Sequence, residues 1–271
     1  MSTVAKKRYP TTWRRPPQIM TDRRWRISIQ IAIVAYLIVA WNSIEVDWER
    51  VVVGLERGKQ FAMGFLRPDF ASRWEDISRG IIESLTMTLT STVVGILVSV
   101  PIGIGAARNL TPRLLYLVCR SIVAVSRSLQ EVIIAIFLVA MFGFGPFAGF
   151  LTLSFATIGF LAKLLADDIE EIEPGQVEAI RSTGASWWQL VNYAIQPQVM
   201  PRLIGLSLYR LDINFRESAV IGIVGAGGIG ATLNTAIDRY EYDSAGAILL
   251  IIIVIVMGAE YASGTIRKFL Q

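Results

Sequence analysis

Long apolar runs without a single charge constrain this chain more than any other feature in it. Ser84–Ala107 continues for 24 residues, and Val132–Ala162 for 31, with no Asp, Glu, Lys or Arg. Ile27–Ile44 adds another 18. About 20 apolar residues cross a bilayer core as a helix, the form that satisfies its own backbone polar groups where water is absent. Only 18% of the 271 residues are charged, against 53% hydrophobic, which is little charge to solvate a globule of this size. Leu203–Tyr209 and Ser218–Ile223 read as parts of a charge-interrupted span, and Ser244–Ala259 begins the last one. The expectation is an all-α membrane protein with six helices near 27–44, 81–106, 114–139, 147–166, 200–222 and 244–264.

The basic residues orient these spans. Residues 1–26 hold eight Lys or Arg against Asp22 alone, which places the N-terminus in the cytoplasm. Six crossings return the C-terminal tail, 265–271 with Arg267 and Lys268, to the same side. The link carrying Arg108 and Arg113 becomes cytoplasmic, while 45–80 and the acidic stretch around Asp238, Glu241 and Asp243 fall outside. Residues 45–80 form a linker in which Val51–Phe65 is apolar enough for an outer helix. A basic tail directly before an apolar span reads as a topological signal and not as a nucleic-acid arm. The first span is expected to stay attached, because Trp41-Asn42-Ser43-Ile44 offers no small-residue cleavage site.

Several chemistries are excluded by composition. There is no histidine, Cys119 is the single cysteine, and no close carboxylate cluster recommends a metal. Ser126 and Ser128 have no base to activate them. No GxxxxGK[ST] P-loop is present, so an ATP site would have to lie on another chain.

Residues 167–199 interrupt the apolar pattern. Lys163, Asp167, Asp168, Glu170, Glu171 and Glu173 mark the exit from a span, and Pro174-Gly175 punctuates the chain. Gln176–Ser182 predicts one short helix and Ser186–Tyr193 another, with Gly184 permitting a turn or a close backbone contact between them. Pro197 and Pro201 should limit continuation into the next span. A rigid helix-turn-helix on a membrane surface would transmit force from a docked partner; an ordinary connecting loop would not.

Charges inside the spans are costly facing lipid and should meet a partner, a cavity or an interface. Arg127 and Glu131 are spaced four apart, as are Asp212 and Arg216, so each pair can satisfy itself on one helix face. Alternatively Arg127, Arg210 or Arg216 touches an anionic substrate in a water-filled path. Arg202 and Glu217 suit interface pairs, and Arg120 can snorkel from nearer the cytoplasmic end. Gly225, Gly227, Gly228 and Gly230 formally match GxGxxG. A dinucleotide site would need a βαβ unit around them, whereas here they end an apolar span and suit close helix packing or a bent segment near an outer gate.

The loop Glu178-Ala-Ile-Arg-Ser-Thr-Gly184 through Ile195-Gln-Pro197 resembles the EAA motif of bacterial ABC-importer permeases. Glu178 and Ala179 match its opening, Gly184 its central glycine, and Ile195 with Pro197 its close. Ile180 in place of a second alanine and the inserted Gln196 depart from the commonest form. Ser207–Asp212, Asn214–Gly230 and Arg127-Ser-Leu-Gln-Glu131 resemble the phosphonate-importer subfamily, with phosphite and phosphate systems close by. The likeness covers most of the chain after residue 75.

The resemblance implies a type I importer permease fold over 81–264. It implies Glu178 contacting an ATPase subunit and Gly184 allowing the turn. The implied partners are two ABC ATPase subunits holding ATP and Mg²⁺, a second permease subunit (a second copy being simplest, a paralogue being possible) and a phosphonate-binding protein outside. This chain would bind no cofactor and catalyse no covalent chemistry. Arg127, Glu131, Arg210, Asp212, Arg216 and Glu217 become candidates for the pathway or its gate, and the glycine segment for the outer gate. Three rival classes carry less support. A secondary transporter would favour internal repeats, which the chain lacks. An intramembrane enzyme would need a nucleophile with a matched base, and a passive scaffold would couple to no substrate.

Overall fold

The computed structural model describes residues 22–44 and 47–270. Most of the basic tail expected over 1–26 lies outside them. The described residues form α1 (Arg23–Asn42), α2 (Trp48–Gly64), α3 (Trp74–Gly105), α4 (Arg113–Ser128), α5 (Glu131–Phe142), α6 (Pro146–Glu170), α7 (Pro174–Ser182), α8 (Trp187–Leu190), α9 (Gln196–Ile223), α10 (Gly228–Asp238) and α11 (Tyr242–Leu270). There is no strand among the described residues.

The chain divides into two units, Met1–Glu56 and Arg57–Gln271, with α2 running across the division. In the first unit Asp22 caps α1 by accepting the Arg24 amide at 3.0 Å, and Asp47 does the same for the Arg50 amide at 3.1 Å. Such caps satisfy donors that have no partner inside the helix.

The second unit is built on α3 and α6, which run parallel. Met87 faces Gly149, Gly95 faces Thr157, Gly103 faces Leu165, and the Arg108 amide donates to Glu170 at 2.8 Å, one constant register along both helices. Glycine at the crossing points is what permits this. A Cβ on Gly95 would sit 2.5 Å from Thr157 Cβ, and one on Gly103 would sit 2.9 Å from Leu165 Cδ2. Close backbone approach is the main source of helix association in lipid, where burial of apolar surface gives little. α9 runs antiparallel to both: Leu203 packs with Leu165, and Ile221 with Met87 and Leu153 at the other end. α10 and α11 close over the start of α3, where Ile77, Ile229, Leu233, Ala245 and Ile248 are buried together.

Among the described residues, five helical segments are long and apolar enough to cross a membrane, and α4 with α5 makes a sixth if taken as one broken span. The six expected spans are thus present in outline, with three corrections. The helix expected over 114–139 is broken at residues 129 and 130 and bends by 95°. Ser128 Oγ donates to the Val125 carbonyl at 2.9 Å, and Leu129 and Gln130 are extended, so a local side-chain bond competes with the helical ladder. Pro197 and Pro201 do not stop the chain, because a π-helical turn at Val191–Ile195 hands directly over to α9. Pro197 follows that wider turn and Pro201 lies inside α9, and neither ends the helix. α3 begins at Trp74, before the expected 81, and Val51–Phe65 does contribute to a helix, α2.

Candidate functional site

Three regions hold the residues singled out by sequence. The first is the surface segment from α7 to the start of α9. Glu178 and Ala179 lie exposed on α7, and Gly184 occupies the turn after it. Gly184 has φ +79°, and no atom lies within 4 Å of where its Cβ would be. The glycine therefore serves the left-handed turn and not a close contact within this chain. Gln189 accepts the Ser186 amide at 2.8 Å, one arm of a capping box that starts α8.

The segment is footed on the ends of the long helices. Leu190, Val191, Ala194 and Ile195 are buried with Ala107 of the α3–α4 link and Leu165 and Ile169 of α6, and Val177 and Ile180 pack against that cluster. The isoleucine that departs from the usual motif is thus an anchor of α7. Trp187 donates from Nε1 to the Leu110 carbonyl at 3.1 Å, and Asn109 donates to the Ile169 carbonyl at 2.9 Å. Pro197 is exposed while Ile195 is buried. The result is a polar knuckle whose outer residues are free and whose base is fixed to α3, α6 and α9.

The second region lies inside the bundle. Arg210 of α9 is buried and donates to Thr157 Oγ1 at 3.2 Å. Asn214, one turn on, donates to both Thr92 and Thr157 at 2.9 Å. The sequence reading missed this polar layer; its signal was the Thr-rich face of α3 at Thr88 and Thr92. Arg210 also meets Glu131 at 3.4 Å. The expected Arg127–Glu131 pair on one helix face does not form, because the α4–α5 break removes the shared helix. Arg127 instead lies over Phe160, its guanidinium carbon 5.9 Å from the ring centre, and Arg210 lies 5.5 Å from the same ring. Asp212 and Arg216 do pair, at 2.7 Å. Glu217 lies within electrostatic range of Glu131, Arg210 and Arg216. Towards α7, Arg202 pairs with Asp168 at 3.1 Å and Arg120 with Asp167 at 3.3 Å.

The glycine segment joins α9 to α10. Gly225, Gly227 and Gly228 all have positive φ, and Gly228 begins α10. Gly145 donates to the Gly225 carbonyl at 3.0 Å. A Cβ on Gly227 would lie 2.6 Å from Pro146 N, and Gly230 packs on Ala219 and Gly222 of α9. The Ile229 amide donates to Ser84 of α3 at 2.9 Å. The segment is a packed helix-to-helix reversal without a strand, so the βαβ setting of a dinucleotide site is missing around it.

This geometry has counterparts. The chain is 45% identical over 202 residues to the phosphate-import permease protein PhnE of Mycolicibacterium smegmatis. That match takes in 74% of this chain and 38% of the relative, so the chain spans well under half of that protein's length. It is 35% identical over 247 residues to the phosphite transport system permease protein PtxC of Stutzerimonas stutzeri, covering 90% of each. In fold it resembles a chain of the MetNI methionine ABC transporter in an inward-facing conformation, with TM-score 0.65 and 24% identity, over 74% of this chain and 99% of that one. Residues 99–262, which include the exposed knuckle, Thr157, Arg210 and Asn214 of the polar layer and the glycine reversal, match the model of one family. The chain belongs to the binding-protein-dependent transport system inner membrane components, with the permease fold of ABC importers.

Proposed function

We propose that this chain is the membrane subunit of an ATP-driven importer, carrying phosphonate delivered from outside by a binding protein. The observation that carries the importer reading is the α7–α8 knuckle. Glu178 and Gly184 are exposed at its tip, while Leu190 and Ile195 fix its base. In this reading Glu178 makes polar contacts with an ATPase subunit, and Ala179, Gly184, Ile195 and Pro197 shape the loop that seats there. The eight basic residues of 1–26 place the N-terminus in the cytoplasm. The C-terminal tail 265–271, the link at Arg108 and the coupling loop 167–199 then share that side, and 45–80 lies outside.

Two copies of this chain would form the path between them, closed two-fold pairing being the simplest assembly. Two ATPase subunits would supply ATP and Mg²⁺ sites, since this chain has no P-loop. Closure of the ATPases would push the knuckles together and open the path outward; hydrolysis would reset it. Arg216 with Asp212, and Glu217 beside them, would act in the gate, and the Gly225–Gly230 reversal would sit at its outer end.

The phosphonate assignment rests on Ser207–Asp212, Asn214–Gly230 and Arg127–Glu131. The names of the two relatives favour a second reading, phosphate or phosphite. All three cargoes are tetrahedral phosphorus oxyanions.

The deciding experiment reconstitutes the chain in lipid with its ATPase and binding protein and measures ATP hydrolysis and uptake with methylphosphonate, phosphite and phosphate. Hydrolysis that requires both this chain and a loaded binding protein supports the importer, and the ligand order assigns the cargo. An assembled complex that responds to none of the three removes the phosphorus assignment.

A further inference from the structure

We infer that the break between α4 and α5 forms a subsite for a phosphorus oxyanion in transit. The inference rests on the importer reading above and assigns a place in the chain to its cargo. The break opens a cavity of about 390 Å³ lined by Ser126, Arg127, Gln130, Glu131, Phe160 and Arg210 among others.

Its charge selects an anion. Arg127 and Arg210 flank the same Phe160 ring at 5.9 and 5.5 Å, so two guanidinium groups converge on one space from α4 and α9. Only Glu131 among the lining residues is acidic. It is committed to Arg210 at 3.4 Å, and Arg127 has no carboxylate within ion-pair distance among the described residues. The lining therefore carries one uncompensated cation. Glu217 acts on Arg210 electrostatically but does not line the cavity.

Two further groups add donors. α5 is 12 residues long and begins at Glu131 without a side-chain cap, so its first amides and the positive end of its dipole face the break. The Gln130 side-chain amide, exposed at the break, has no hydrogen-bond partner among the described residues. A helix interrupted within the membrane is a recurrent way to present such groups to a passing anion. A guanidinium fork matches the oxygens of a tetrahedral oxyanion. Arg127 is exposed beside the break of the α4–α5 candidate span, where facing lipid would be costly; a water-filled path gives it a place. Glu131 competes with the anion for Arg210, which keeps the affinity low and permits release.

The test uses the full chain with its ATPase in lipid nanodiscs, without binding protein. Inorganic phosphate, methylphosphonate and, as an ionic-strength control, sodium chloride are titrated while the thermal unfolding midpoint is followed in wild type, Arg127→Gln and Arg127→Lys. The same variants are assayed for ATP-dependent uptake in the complete importer. Phosphate and methylphosphonate should raise the midpoint of wild type. Arg127→Gln should weaken that response about tenfold, Arg127→Lys should restore part of it, and uptake should fall in the same order.

An equal response in wild type and Arg127→Gln, or one that sodium chloride reproduces, overturns the subsite. Uptake by wild type with an Arg127-independent phosphate response keeps the importer and removes the site. An Arg127-dependent response in a complex that takes up no phosphorus compound keeps the site and removes the transport reading.

Discussion

The Glu131 carboxylate lies 3.4 Å from the Arg210 guanidinium and ties the first turn of α5 to the middle of α9. The side chains are 27% and 4% exposed, so the pair is largely desolvated. Removing one partner from such a pair leaves a buried charge and costs about 3 kcal/mol or more, whereas replacing both by apolar groups is often far milder. Glu131→Gln should therefore lower the unfolding midpoint of the purified chain markedly, and Glu131→Gln with Arg210→Met should recover much of the loss. Additive effects across the double-mutant cycle would show that the two groups do not interact.

Gly184 and Gly227 share φ +79° but not their surroundings. Nothing lies within 4 Å of a Cβ on Gly184, whereas a Cβ on Gly227 would press on the backbone of Gly145 and Pro146 at 2.9 and 2.6 Å. Gly184→Ala should cost about 1 kcal/mol, the conformational penalty alone. Gly227→Ala adds a backbone clash and should cost about 2–4 kcal/mol. Denaturation of the two variants side by side checks this, and equal losses would count against the packing described at the α9–α10 reversal.

At the knuckle, stability and coupling should separate. Glu178 is exposed and has no ion-pair partner within 4 Å among the described residues, so Glu178→Ala should leave insertion and unfolding unchanged within about 0.5 kcal/mol. Recovery of the ATPase with the purified chain should drop about tenfold, as loss of a charge-assisted contact implies. Gly184→Trp should lower ATPase recovery in the same way by blocking the docking surface, and should in addition cost about 1 kcal/mol of stability for a side chain at positive φ. Normal ATPase recovery from both variants would remove the docking role.

Asp69 offers a pH-dependent readout. Its carboxylate accepts the Ser72 hydroxyl and the amides of Ser72 and Ala71, the latter two at 3.1 and 2.9 Å. These bonds, the hydroxyl's first, hold its pKa below the ordinary 3.8. A depressed carboxyl stabilises above its unfolded value and loses that contribution as pH falls through the folded one. The protection factors of the Ala71 and Ser72 amides, taken against their intrinsic exchange at each pH, should therefore fall only below 3.8. Asp69→Asn, which keeps the acceptor oxygen without the charge, should remove the pH dependence. Protection that already decays near neutral pH would contradict the assignment.

By itself the sequence determined the class of the molecule and the polar interruption after its fourth apolar span. Uncharged runs such as Ser84–Ala107 and Val132–Ala162 have one stable solution in lipid, because only a helix pairs every backbone group within its own segment. The turn at Gly184 was equally legible, since the glycine and the polar residues flanking it encode a local turn that depends on nearby chain alone.

Tertiary structure decided what depended on distant neighbours. The spacing of Arg127 and Glu131 fits an i, i+4 pair, and nothing local says otherwise. The break at Leu129 and Gln130 gives Glu131 to Arg210, 79 residues further along the chain. Likewise Pro197 and Pro201 read as helix stops, but the π-helical turn at Val191–Ile195 leads straight into α9, which runs on through both prolines. The polar layer of Thr92, Thr157 and Asn214 exists only because Gly95 lets α3 and α6 approach in register. Local periodicity fixes which residues form helices; which charges meet is fixed by where those helices bend and how closely glycine lets them pack.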